Sequence, residues 1–280
     1  MSLPESTRIG RIELRVADLS RSLAFYRDLL GLVEYARTTD RCELGPHGGR
    51  PLISLLAVPG TRLRPAGVVG LFHYALLLPH RRDLGRVLLH LFQARYPFQG
   101  FADHLVSEAA YLADPDGNGI ELYADRPRED WQRRDNQIEM STLALNVNSL
   151  LRSVEGEEWR GIAAGTGMGH VHLHVADLAR TGAFYREVVG FDVTNNSFPS
   201  ALFLAAGGYH HHLGLNTWLR PENANGPDAA NMLSWELVLP HPAHSMAIAE
   251  RALKWGSRVE EKADQTIIVD PDGMQVIVTT

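Results

Sequence analysis

Hydrophobic residues come in short runs that end on a polar stop, and one such arrangement occurs twice. An apolar stretch over 9–16 leads into Asp18 and Leu19, and another ending at Val175 leads into Asp177 and Leu178. In each copy the aspartate stands where a helix N-cap accepts an orphan backbone N–H, Ala-Phe-Tyr follows (24–26 and 183–185), and a glycine, Gly31 or Gly190, marks the end. The first copy predicts a strand over 9–16, a helix over 19–30, and strands near 33–37, 41–44 and 52–57. The same order returns with a strand over 71–78, an amphipathic helix over 82–95, and strands near 105–106, 110–112 and 119–123. Two further units span 170–216, with a helix over 179–189, and 232–279, with a helix over 243–255. Asp114-Pro115-Asp116-Gly117 and Asp270-Pro271-Asp272-Gly273 read as tight turns, each followed by an apolar strand that closes its half.

The pattern predicts an α+β protein of four βαβββ modules. Each module is too small to cover its own sheet face, so modules should pair and curl their sheets into cups around shared cavities. The N-terminal half covers 8–125, a connector 126–166 and the C-terminal half 167–280, the connector being charged early and glycine-rich late. With 280 residues, 45% of them hydrophobic, the chain can fill one large or two medium cores. A formal net charge of −6 argues against nucleic-acid and anionic-membrane surfaces as partners. The single cysteine, Cys42, excludes an intramolecular disulfide and suits a reducing compartment. No stretch approaches the roughly 18 apolar residues of a spanning helix, and the N-terminus lacks a signal-peptide pattern. A cytoplasmic protein without membrane contact is expected.

The four-module pattern and the strand-Asp-Leu-helix-Phe-Tyr motif resemble the vicinal oxygen chelate superfamily, which includes glyoxalases, resistance proteins and extradiol dioxygenases. The resemblance covers nearly the whole chain outside the connector. Members hold a metal in a cup-shaped sheet, with ligands at the start of a module's first strand and in its last strand. Counting five residues back from the last apolar residue of each first strand gives Arg11, His73, His170 and Ser234. The last-strand position is Glu121 in module two, where module four offers only Gln275. Taken alone, a strand histidine reads as a hydrogen-bonded core residue. Three residues of ligand type at equivalent module positions read differently, and the resemblance implies His73, Glu121 and His170 as metal ligands. These can meet only if modules two and three form one cup and modules one and four the other. Two imidazoles and a carboxylate on one face suit iron(II), with manganese(II), zinc or nickel as alternatives.

Histidines outnumber the ligand positions. His170, His172 and His174 alternate along one predicted strand, and His210, His211 and His212 fall within 207–214, read as the last strand of module three. The run could be a solvated edge. In extradiol dioxygenases, however, this strand carries His-x-x-small beside the metal, a pattern matched by His211 to Gly214. The resemblance thus implies His211 as the acid-base residue, with His210 or His212 replacing it if the register is off by one. Tyr111 precedes Glu121 by ten residues, as does the family's catecholate-contacting tyrosine. His104 resembles the second active-site histidine, although it stands closer to the tyrosine than in the family pattern. Motifs are most similar to catechol 2,3-dioxygenases, implying an oxidoreductase that inserts O2 into a small aromatic diol, and a homo-oligomer is expected. The alternatives are a glyoxalase-type lyase or isomerase and a non-catalytic metal-binding resistance protein. Phe25, Tyr26, Phe184 and Tyr185 read as packing beneath the sheets. Trp131 and its flanking arginines read equally as a cover for the pocket mouth or as an oligomer contact.

Overall fold

A computed structural model describes residues 2–65, 67–218 and 228–280. Module one contributes β1 (Arg8–Val16), β2 (Val33–Arg37), β3 (Arg41–Gly45) and β4 (Ile53–Ala57). Module two contributes β5 (Gly70–Leu77), β6 (Gly100–Asp103), β7 (Ser107–Ala113) and β8 (Gly119–Asp125). The connector carries a small hairpin, β9 (Arg133–Arg134) and β10 (Gln137–Ile138). Module three supplies β11 (Gly167–His174), β12 (Asp192–Asn195), β13 (Ala201–Ala205) and β14 (Leu213–Asn216). Module four supplies β15 (Asn231–Val238), β16 (Val259–Lys262), β17 (Gln265–Val269) and β18 (Gln275–Thr279).

These strands form two eight-stranded sheets, ordered β16-β17-β18-β15-β1-β4-β3-β2 and β12-β13-β14-β11-β5-β8-β7-β6. Modules one and four therefore share a sheet, as do modules two and three. The seams are antiparallel, β1 against β15 with Ile12 opposite Trp235, and β5 against β11 with Tyr74 opposite Val171. Apolar residues from all four first strands, among them Leu14, Leu76, Leu173 and Leu237, join in one continuous core between the sheets. No helix of the described residues is long and apolar enough to cross a membrane.

The aspartates of the repeat act as the N-caps the sequence predicts. Asp18 Oδ1 accepts from Arg21 N at 2.8 Å and Asp177 Oδ1 from Arg180 N at 3.0 Å. The helices behind them, α1 (Leu19–Leu23) and α4 (Leu178–Ala183), continue as wider π-helical turns over Ala24–Leu29 and Phe184–Val189. That turn aims a tyrosine across to the other sheet. Tyr26 Oη donates to Asp114 Oδ2 at 2.8 Å, and Tyr185 Oη donates to Asp270 Oδ2 at 2.8 Å. Each half is thus clasped internally, the first module's helix holding the second module's tight turn, a role beyond the packing that the sequence suggested for these tyrosines.

Two expectations need correction. The segment at 105–106 is not a strand; Leu105, with a φ of 70°, turns the chain between β6 and β7, and Asp103 Oδ1 accepts from its N–H at 2.9 Å. The strand precedes it, at the sheet edge. His210, His211 and His212 are not in a strand either, since Gly207 and Gly208 (φ 58° and 66°) make a turn and β14 begins only at Leu213. The remaining helices, α2 (Arg81–Gln93) and α5 (Pro242–Trp255), follow the predicted spans, and α3 (Val147–Arg152) lies in the connector, where the sequence reading placed no helix.

Candidate metal and active site

Three adjacent central strands, β11, β5 and β8, carry His170, His73 and Glu121 into the cup of modules two and three. His170 Nε2 lies 3.1 Å and His73 Nε2 3.0 Å from the same oxygen, Glu121 Oε2. One ligand atom from each of the three falls within 4.8 Å of the others, so the cluster could hold a metal ion. All three side chains are buried, and His73 Nε2 is close to the carboxylate without the alignment of a hydrogen bond. A buried imidazole nitrogen aimed at a shared point without a partner fits a cation there. Burial opposes the charge on Glu121, but the imidazoles of His170 and His73 outweigh it and hold the carboxyl well below its usual range. Burial pushes His170 down to about 4, against the pull of Glu121, which favours the neutral ring that coordination requires.

Backbone detail aims these side chains. The pairing of β5 with β11 is irregular between Met168 and His170, with Gly169 at the shift. A Cβ at Gly169 would fall 1.8 Å from Tyr123 Oη, so only glycine lets that phenol lie beside the strand. A Cβ at Gly119 would fall 2.2 Å from the carbonyl oxygen of Phe72, the neighbour of His73.

The second cup is different. Arg11 forms ion pairs with Glu43 and, at 3.0 Å, with Glu236, and Arg41 pairs with Glu13. Glu236 stands opposite Ile277 as Ala75 stands opposite Glu121, so Ile277 rather than Gln275 is the counterpart of Glu121. The displaced match came from counting to the nearest polar residue instead of along the turn. Asp114 N to Asn118 O and Asp270 N to Met274 O are equivalent bonds, and counting on from them reaches Glu121 and Ile277.

A cavity of about 410 Å³ opens over the cluster, bordered by His73, Glu121, Tyr111, His104 and His211. His104 Nδ1 lies 2.7 Å from the carbonyl oxygen of Ser141 and must donate to it, which leaves Nε2 to accept the Tyr111 O–H at 2.6 Å. Burial, then the charge of Glu121, raises the Tyr111 phenol well above its usual range. The His211 ring lies 4.0 Å from that of His170, tilted by 45°, and burial, then the neighbouring imidazoles of His170 and His210, holds it well below the usual range. His210 turns the other way, its Nε2 2.9 Å from Asp125 Oδ1, and His212 accepts at Nδ1 from Ala206 N at 3.2 Å. Of the consecutive histidines, only His211 borders the cavity.

Several residues of the site were not singled out from the sequence. Phe72, Phe203 and Trp218 form apolar walls, and His172 borders the cavity with Nε2 2.9 Å from Asn216 Nδ2. Met140 and Thr142 add a wall from the connector, which packs beside the site through buried Trp131 and Ile138. Trp131 itself lies beneath the His run, 5.2 Å from the His210 ring, rather than at the mouth. The alternation of His170, His172 and His174 signalled His172, but nothing local in sequence announces a wall made by a distant connector.

Known proteins bear on this arrangement. The family model for the glyoxalase/bleomycin resistance protein/dioxygenase superfamily matches residues 8–122 and 167–268. The chain is 42% identical over 279 residues to a Bacillus subtilis (strain 168) protein named catechol-2,3-dioxygenase, covering 96% of each. A solved protein of Bacillus subtilis subsp. subtilis str. 168 superposes with a TM-score of 0.71 at 13% identity, over all of this chain and 86% of that one. Glyoxalase I from Zea mays superposes with a TM-score of 0.59 at 17% identity, over 98% of this chain and 92% of that one. Repeat, interleaved sheets and relatives agree: the chain belongs to the glyoxalase/bleomycin resistance protein/dioxygenase superfamily.

Proposed function

We propose that this protein is an extradiol dioxygenase that opens the ring of a catechol-type diol with O2 at a mononuclear iron(II) centre. The observation that carries the reading is the convergence of His73, Glu121 and His170 in one buried cluster, two members of which, His73 and Glu121, border an apolar cavity that also presents His211 and Tyr111. His73, Glu121 and His170 would hold the metal on one face, leaving the cavity side for ligands. When bound, iron(II) supplies a Lewis acid and an electron path between the diol and O2. The relative named catechol-2,3-dioxygenase supports the same reading. A glyoxalase-type lyase, the alternative, usually needs a second carboxylate ligand, and the cluster among the described residues has one.

The protein's own groups handle orientation and protons. Tyr111 donates its O–H in a hydrogen bond to His104 and so offers its oxygen as an acceptor to a substrate hydroxyl. His211, kept neutral by burial, takes a proton from the substrate and returns it to the product. Phe72, Phe203 and Trp218 supply apolar walls that exclude water from around the ring.

The test is anaerobic reconstitution with iron(II), followed by catechol and alkyl-substituted catechols in air. Yellow ring-cleavage product with one O2 consumed per diol is expected. Failure of the iron- and the manganese-loaded protein on every catechol, with metal bound, would refute the reading. Replacing His73, Glu121 or His170 by alanine should each abolish metal retention.

A further inference from the structure

Asp125 ends β8 on the same face as Glu121 but outside the lining of the cavity, and it is joined to His211 through one residue. Its Oδ1 lies 2.9 Å from His210 Nε2, and its Oδ2 accepts the Tyr209 O–H at 2.9 Å. A carboxylate only accepts, so His210 Nε2 carries a hydrogen. In the neutral ring, Nδ1 of His210 is then a lone pair. That lone pair lies 2.8 Å from His211 Nδ1, which must be the donor. His211 Nε2 is thereby left as a lone pair on a ring that borders the cavity and makes no hydrogen bond through Nε2 to a described residue. The far end of the chain is directed in the same way. The one O–H of Tyr209 is donated to Asp125, so Tyr123 Oη, 2.7 Å away, donates to Tyr209 Oη. Tyr123 and His210 are fully buried and Gly169 makes room for the phenol.

We propose that Asp125 and His210 are positioning residues that lock His211 in its Nδ1-protonated tautomer, so that Nε2 faces bound substrate as a ready proton acceptor. The proposal rests on the reading of His211 as the acid-base group. A proton moving from a substrate hydroxyl to Nε2 makes an imidazolium whose Nδ1–H is already bonded, and the charge is balanced by Asp125 through His210. No reorientation is needed. The logic is that of a hydrolase triad, where a buried aspartate fixes the tautomer of the catalytic histidine.

The experiment uses the full chain loaded with zinc, which is diamagnetic, and labelled with 15N-histidine; His210→Gln and His211→Gln assign the ring signals. In the parent, His211 is expected to show a protonated Nδ1 and a bare Nε2. In Asp125→Asn the side-chain amide can donate to His210 Nε2, which turns both rings over and places the hydrogen of His211 on Nε2. Iron-loaded Asp125→Asn should then lose turnover by ~10² to 10⁴-fold with metal content unchanged, the range for misplacing a catalytic proton. Tyr209→Phe, which removes a donor to Asp125 without reversing the chain, should keep the parent tautomer and most of the activity. A parent His211 protonated at Nε2, or an unchanged tautomer in Asp125→Asn, overturns the proposal. If Asp125→Asn does not fold, the parent tautomer alone decides. Tautomers as expected in a protein that cleaves no catechol would support the positioning chain and sink the dioxygenase reading instead.

Discussion

The clasp between Tyr185 and Asp270 makes stability depend on pH in an unusual direction. Burial raises the Asp270 carboxyl from its ordinary 3.8 to about 6, despite bonds from Met274 N, Tyr185 Oη and Asp272 N. A group whose pKa is raised on folding stabilises the fold while protonated. Its contribution is full below the unfolded value and is lost as pH rises through the folded one. The shift of about 2 units corresponds to about 3 kcal/mol, lost between about pH 4 and pH 6. Asp270→Asn removes the titration while Oδ1 still accepts from the backbone and the amide faces Tyr185. Urea unfolding from pH 3.5 to 8 reads the effect. The variant should be less stable than the parent at the acid end and should match or exceed it at neutral pH, the difference between them swinging by about 3 kcal/mol. Other groups titrate equally in both proteins and cancel. Curves that run parallel across the window would refute the reasoning, showing that the three bonds keep the carboxylate charged.

The other predictions concern the site. His211→Gln should retain metal yet lower ring-cleavage turnover by ~10² to 10⁴-fold, measured as initial rates on metal-matched samples. Gly169→Ala should destabilise the fold by roughly 2 to 4 kcal/mol, by overpacking and by displacing Tyr123 from Tyr209, as seen in thermal unfolding. No lysine or arginine borders the cavity among the described residues. Alkyl- or aryl-substituted catechols should therefore exceed carboxylated ones of similar size by ~10²-fold or more in kcat/KM, because burying an unpaired carboxylate costs several kcal/mol.

The duplication made much of the molecule legible in the sequence. Two Asp-capped strand-helix units and two Asp-Pro-Asp-Gly turns mark the modules, because local capping and turn chemistry leave residue-level signatures. His73, Glu121 and His170 could be nominated because the resemblance places ligands in a module's first and last strands, and counting those positions across the repeat reaches these three, which the structure gathers into one cluster. What failed was register within irregular backbone. Gln275 was matched to Glu121 by proximity to the turn, and the His run was read as strand although Gly207 and Gly208 break it. The role of Asp125 was not legible at all. It ends β8, some 85 residues from His210, and only the closed sheet of modules two and three brings them together.

The two seams, β1 with β15 and β5 with β11, have a consequence for either half taken by itself. Each half owns one complete edge of each seam, so a separated half would expose two long, unpaired strands, the kind of edge that recruits another chain. Two copies of one half, placed about a two-fold axis, would satisfy both edges at once, each lending a module to either cup. The present chain is then a dimer made permanent by a tether. Tethering removes the symmetry such a dimer imposes, under which every ligand in one cup must reappear in the other. One cup was thereby free to fill with the Arg11 and Glu43 ion pair while the other gathered a glutamate from one half and a histidine from each.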